Sequence, residues 1–157
     1  MTAIDMAITT ATHIGDEELP WADAGDNIRL KVLHVREQEG LWVIRNEFGP
    51  GVRVQKHFHT GPVFGITTSG AWGYLEYDYM NRAGSYLYEP AHSVHSLYTP
   101  DDNTEVTDVT FVMYGCNLNL DEDGNVESVT DGPGVLAAYY MMLEAQGHPR
   151  PDGILVD

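Results

Sequence analysis

From Ile28 to Gly115 the sequence is an almost unbroken series of short runs rich in β-branched and aromatic residues. They read IRLKVLHV, GLWVIRNEF, VRVQKHFH, VFGITT, AWGYLEYDY, SYLYE, HSLYT and TDVTFVMYG. Turn-forming residues close each run, among them Gly49-Pro50-Gly51, Gly61-Pro62, Ser69-Gly70, Asn81-Arg82-Ala83-Gly84 and Pro100-Asp101-Asp102-Asn103. Runs that recur roughly every 8–14 residues, with no helical segment between them, bury their apolar faces by pairing antiparallel into a sandwich or barrel. The fold class is therefore all-β. CNLNL and NVESV, flanking Asp121-Glu122-Asp123-Gly124, add a hairpin. One helix follows, over about 133–146. Asp131 can cap it, Pro133 suits its first turn, and Gly147 with Pro149 stops it. Val135, Leu136, Tyr139, Met142 and Leu143 share one helix face, to be packed against the barrel or a neighbouring subunit.

The 157 residues suffice for one domain with a substantial core. Residues 1–13 are polar and aperiodic and are expected to form a flexible N-terminus; residues 14–157 form the single domain. Within IGDEELPW, Pro20 and Trp21 indicate a short anchored segment. Acidic side chains outnumber basic ones 24 to 8, for a net charge of −16. Such a field repels polyanions, so nucleic acid and anionic membrane surfaces are excluded as partners. Cys116 is the only cysteine, which rules out an internal disulfide. No apolar stretch approaches the length of a membrane helix, and the first basic side chain is Arg29, so a cytoplasmic location is expected.

His57 and His59 flank one residue on an expected strand. Alternation sends both imidazoles to the same face, where they can meet one ion. An H-x-H pair alone is weak evidence, since most such pairs are surface or hydrogen-bonded core histidines. Their surroundings add more. Gly51 precedes His57 by six residues and Gly70 closes the segment GVRVQKHFHTGPVFGITTSG; GSYLYEPAHSVHSLYT then carries Gly84, Pro90 and His95. This arrangement resembles the cupin superfamily, whose motifs read G-x5-H-x-H-x3–4-E-x6-G and G-x5-P-x-G-x2-H-x3-N. The resemblance implies a single-domain cupin, a double-stranded β-helix or jelly-roll barrel, with His57, His59 and His95 as metal ligands.

Three positions depart from the pattern. The ligand glutamate falls at Val63, or at Phe64 under the longer spacing; the second motif's glycine is His92, and its asparagine is Thr99. The implied centre has three histidines and no ligating carboxylate. Val63 then lines the pocket and faces the substrate.

HTGPVFGITTSG, W-x-YLEY, AGSYLYEPA and YGCNLNLDEDGNVESV resemble the 2,4'-dihydroxyacetophenone dioxygenase family of cupins from about Ile14 onward, and more distantly the acetylacetone-cleaving dioxygenases. The resemblance implies a non-haem iron(II) dioxygenase that cleaves a carbon–carbon bond of an α-hydroxyketone or 1,3-dicarbonyl. Its partners are then O2 and a small aromatic or diketone substrate. Imidazole also suits zinc, copper and nickel, so the residues do not choose the metal. Three neutral ligands leave open positions and the ion's full charge, both favourable to a chelating enolate. Glu89, six residues before His95, is placed by the related families beside the ligands. It is read as a general base or as a carboxylate that orients an imidazole, against the alternative of a solvent-facing strand end. His92 is either a pocket-mouth donor, a substitute ligand or an ordinary loop residue. Two other classes stay open: a non-catalytic cupin that binds or senses a small molecule, and an O2-independent metal-dependent isomerase or hydrolase. Exposed strand edges and the apolar helix face point to a homodimer or homotetramer.

Overall fold

The β-branched runs fold as extended chain, and their alternation decides which side chains reach the interior. A computed structural model describes residues 10–157, so the expectation for most of the N-terminus lies outside the described residues. In chain order the strands are β1 (Ala22–Gly25), β2 (Ile28–Arg36), β3 (Leu41–Phe48), β4 (His57–His59), β5 (Val63–Ser69), β6 (Ala71–Tyr74) and β7 (Asn81–Arg82). There follow β8 (Tyr86–Glu89), β9 (Val94–His95), β10 (Leu97–Tyr98), β11 (Thr107–Tyr114), β12 (Asn117–Leu120) and β13 (Val126–Thr130). Helix α1 (Gly132–Ala145) and a short β14 (Leu155–Val156) complete the chain.

The largest sheet has the order β1-β2-β3-β11-β5-β8, with β14 added to β2 in parallel. Two smaller sheets, β10-β6-β7 and β13-β12-β4-β9, complete a cupin fold in which the core and the site lie between sheets. In β3 every second residue is buried, so Trp42, Ile44, Asn46 and Phe48 point inward. In β11, Val109, Phe111 and Met113 do the same, and in β8 Leu87 and Glu89 turn in while Tyr86 and Tyr88 face out. Gly70 turns β5 into β6 with φ +74, a left-handed conformation that glycine adopts without strain. Gly61 sits so close to the Tyr114 carbonyl that a Cβ would lie 2.3 Å from the oxygen, which accounts for a bare backbone in HTGP.

Helix α1 begins where expected. Asp131 accepts a hydrogen bond from the Gly134 amide at 2.8 Å, and Gly147 ends the helix region at φ +77. Val135, Tyr139 and Leu143 are buried, with Leu136 and Met142 partly so, against β1, β2 and β3. The apolar helix face is thus taken up by the chain's own barrel. The Asp16–Glu18 segment is a single 3-10 turn, and Trp21 beyond it holds the Lys31 ammonium 4.6 Å from its ring centroid. Trp42, Trp72, Tyr74 and Phe111 are core residues, while Tyr77, Tyr86, Tyr88 and Tyr114 lie at the surface. Among the described residues, no helix is long and apolar enough to cross a membrane.

Candidate metal centre

Strand β4 has only three residues, yet its alternation does the main work. His57 and His59 are buried and Phe58 between them points away. Strand β9 pairs antiparallel with β4 and sets His95 directly opposite His57. The three imidazoles converge, with centroids 4.7 Å (His57–His59), 5.1 Å (His57–His95) and 4.9 Å (His59–His95) apart. One nitrogen from each ring lies within 4.8 Å of the others, a cluster that can hold a divalent ion.

The donor geometry fits such an ion. His59 Nε2 and His95 Nε2 are 3.0 Å apart. Two imidazole nitrogens bound at right angles to one ion, at ordinary distances of about 2.0–2.1 Å, are separated by about 3 Å. His57 Nδ1 lies 2.8 Å from the Gln55 carbonyl. A carbonyl only accepts, so the ring proton sits on Nδ1 and the Nε2 lone pair is left for the cluster, the arrangement common in metal-bound histidines. Burial pushes His57 down to about 4, with the Gln55 contact opposing that and the neighbouring histidines adding to it. It is therefore neutral, and ready to ligate, throughout the physiological range.

Glu89 reaches the same place from β8. It is 4% exposed, and its Oε2 lies 3.0 Å from His59 Nε2 and 3.4 Å from His95 Nε2. Burial alone would raise its pKa; the contacts with His59 and His95 override this and hold the carboxyl at about 2. The Tyr74 hydroxyl donates to Glu89 Oε1. Tyr74 also stacks on His95, centroids 3.7 Å apart and planes 18° from parallel. Burial first, then the adjacent carboxylate, raises the phenol well above its usual value and keeps it a donor.

A cavity of about 250 Å³ opens over this cluster. Leu30, Ile44, Phe48, Phe111 and Met113 form apolar wall, and His57, His59, Glu89 and Val63 stand at the metal end. Its volume falls just below the usual range of roughly 300–1,000 Å³ for ligand pockets, which suits a small molecule. Val63 is 1% exposed and pairs in register with Glu89. His95 is fully buried behind the wall.

The other histidines lie elsewhere. His92 is exposed, adopts φ +74, and stacks on Phe58 at 5.5 Å, away from the cluster. His34 lies 3.7 Å from the Asp157 carboxylate, and His13 and His148 are exposed. Tyr74 was not singled out from sequence as a site residue. In a strand an aromatic reads as core, and nothing in the spacing to Glu89 marks the pair.

The ChrR cupin-like domain family matches residues 9–115. Among solved structures, a cupin-fold protein of unknown function from Ralstonia eutropha is 30% identical, covers 100% of this chain and 96% of its own, and superposes with a TM-score of 0.85. An acetylacetone dioxygenase from Acinetobacter johnsonii is 18% identical over 90% of this chain and 99% of its own, at a TM-score of 0.72. The complex of SigE with the anti-sigma ChrR from Rhodobacter sphaeroides is 16% identical over 63% of this chain and 51% of that one, at 0.53. The last two likenesses show the fold alone. Nothing among curated proteins matches. With a match that spans most of the described chain and a fold that agrees with it, the chain belongs to the ChrR cupin-like domain family.

Proposed function

We propose that the protein is a non-haem iron(II) dioxygenase that uses O2 to cleave a carbon–carbon bond of a 2,4'-dihydroxyacetophenone-like α-hydroxyketone or a 1,3-dicarbonyl. One observation carries the reading: three buried imidazoles and one buried carboxylate meet at the end of a small apolar cavity. The fold shared with an acetylacetone dioxygenase supports it. Bound iron(II) would supply Lewis acidity toward a chelating ketone and the electrons that O2 chemistry requires.

The protein's own groups supply the rest. His57, His59 and His95 hold the ion through neutral nitrogens, with His57 fixed on the Gln55 carbonyl. The Glu89 carboxylate, whose Oε2 lies 3.0 Å from His59 Nε2, is within reach of a molecule on the ion and accepts the proton that an enol or α-hydroxyketone gives up. The Tyr74 hydroxyl steadies the other carboxylate oxygen. Apolar walls, Val63 among them, exclude water and accommodate a flat ring or a short diketone. Cleavage gives two carboxylic acids, or an acid and a carbonyl compound.

The test is O2 consumption by iron-reconstituted protein across hydroxyacetophenones and 1,3-diketones. Uptake with at least one member is expected; a filled metal site with no uptake from any of them ends the proposal. The ChrR name of the family and the fold likeness to an anti-sigma protein favour one second reading, a cupin that binds or senses a small molecule without turnover. Tight zinc retention, with ketone binding and no product, would establish that reading instead.

A further inference from the structure

The cupin pattern carries its ligating carboxylate at the position of Val63, a residue with no metal-binding atom. Val63 and Glu89 are register partners across β5 and β8. Cross-strand partners hold their Cβ atoms about 4.5–5.5 Å apart on one face of the sheet. A glutamate on β8 can therefore deliver its carboxylate to the space that one on β5 would fill.

The Glu89 carboxylate is set for this. Its Oε1 is occupied by the Tyr74 hydroxyl, which fixes the plane of the group. Its Oε2 is buried and has no hydrogen-bond partner of good geometry. An anionic oxygen left so costs free energy unless something else meets it. That oxygen lies 3.0 Å from His59 Nε2 and 3.4 Å from His95 Nε2, while the two nitrogens are 3.0 Å from each other. Three donor atoms at these mutual distances match the spacing of neighbouring ligands around one ion.

We propose that Glu89 supplies from β8 the fourth ligand of the substrate-free centre, and that a chelating ketone displaces it from the ion and so frees it as the base. With a divalent ion bound, the carboxylate would lower the centre's charge from +2 to +1. Once displaced, Glu89 Oε2 would be free to take the proton that the ketone loses, leaving a neutral carboxylic acid. The ligand half needs only the three-histidine cluster; the displacement half rests on the dioxygenase reading.

The test uses the full chain loaded with cobalt(II) under nitrogen, with the coordination sphere read from a crystal structure and the visible spectrum. Without ketone, Glu89 Oε2 is expected at about 2.0–2.2 Å from the ion. Acetylacetone is then expected to move it beyond about 3 Å and to shift the spectrum, with the ketone oxygens in its place. Glu89→Gln should alter the ketone-free cobalt spectrum and weaken zinc affinity by about 10–100-fold or more. A wild-type carboxylate beyond ligand distance in the ketone-free protein overturns the assignment, and that measurement needs no variant to fold. A carboxylate that stays on the ion beside bound acetylacetone overturns the displacement. Failure of the wild-type chain to bind any divalent ion overturns the centre itself. Oε2 off the ion with O2 uptake intact would remove this inference and leave the dioxygenase standing; Oε2 on the ion with no uptake from any ketone does the reverse.

Discussion

Tyr74 lies face to face with His95, ring centroids 3.7 Å apart, and donates a hydrogen bond from its hydroxyl to Glu89. One side chain thus braces a candidate ligand and the carboxylate beside it. Tyr74→Phe keeps the stack and removes only the hydrogen bond. The variant should stay folded and lose about 10–100-fold in turnover or metal affinity, the usual effect of losing a group that supports a metal site. Rates at saturating iron, set beside metal content, separate the two effects. No change in either would show the hydroxyl to be idle.

Replacing His57, His59 or His95 by alanine should abolish stoichiometric metal binding, since each removes one of three converging nitrogens. His13→Ala and His148→Ala, at exposed positions, should bind as the wild type does. Elemental analysis of the dialysed proteins checks this, and full metal in any cluster variant would contradict the assignment.

Val63→Phe should retain metal and lose ketone binding, because the larger ring fills the cavity at its metal end. Overpacking should cost about 1–3 kcal/mol in stability. Calorimetric titration of the zinc form with a hydroxyacetophenone reads the binding, and urea unfolding reads the stability. Unchanged ketone affinity would remove Val63 from the substrate wall.

His92→Gly tests the turn that replaces the second motif's glycine. The residue holds φ +74, where a non-glycine residue is strained by about 1–2 kcal/mol. Relief of that strain opposes the loss of the Phe58 stack, so the variant should be as stable as the wild type or more so, with metal content unaltered. A loss of metal would assign the imidazole a place in the centre.

Tyr139 gives a prediction in pH. Burial, with a smaller contribution from Tyr140, pushes its phenol up to about 12. The unfolded chain ionises nearer pH 10, so it gives up this proton first. The stability contribution is whole below about pH 10 and falls as pH rises toward 12. Tyr139→Phe also loses the hydrogen bond to the Pro20 carbonyl, worth about 1 kcal/mol at neutral pH. It should nevertheless show a shallower alkaline decline, measurable by urea unfolding across that range.

Most strands were legible because alternation and β-branching are local signals. The IRLKVLHV, GLWVIRNEF and TDVTFVMYG runs match β2, β3 and β11 within a residue. Longer runs broke up. VRVQKHFH pairs continuously only from His57, and AWGYLEYDY leaves the sheet after Tyr74. The β1 segment was missed because Ala-Asp-Ala-Gly carries no strand propensity, and β14 because two residues make no period. In the site, the shared face of His57 and His59 followed from strand alternation, and His95 from the resemblance to the cupin motifs. The register of Val63 against Glu89, and of His57 against His95, did not, since a pairing between strands far apart in sequence leaves no trace in either alone.

The cavity wall crosses a boundary that the metal centre does not. His57, His59, His95, Glu89 and Tyr74 all lie within residues 9–115, the span shared with the family. Asn117, Asn119, Thr130 and Val135, which also line the cavity, come from β12, β13 and α1 beyond it. Part of the wall is thereby encoded downstream of the stretch that carries the whole candidate centre. Exchanging the terminal stretch between relatives offers a way to vary that part of the wall while His57, His59, His95, Glu89 and Tyr74 are all kept.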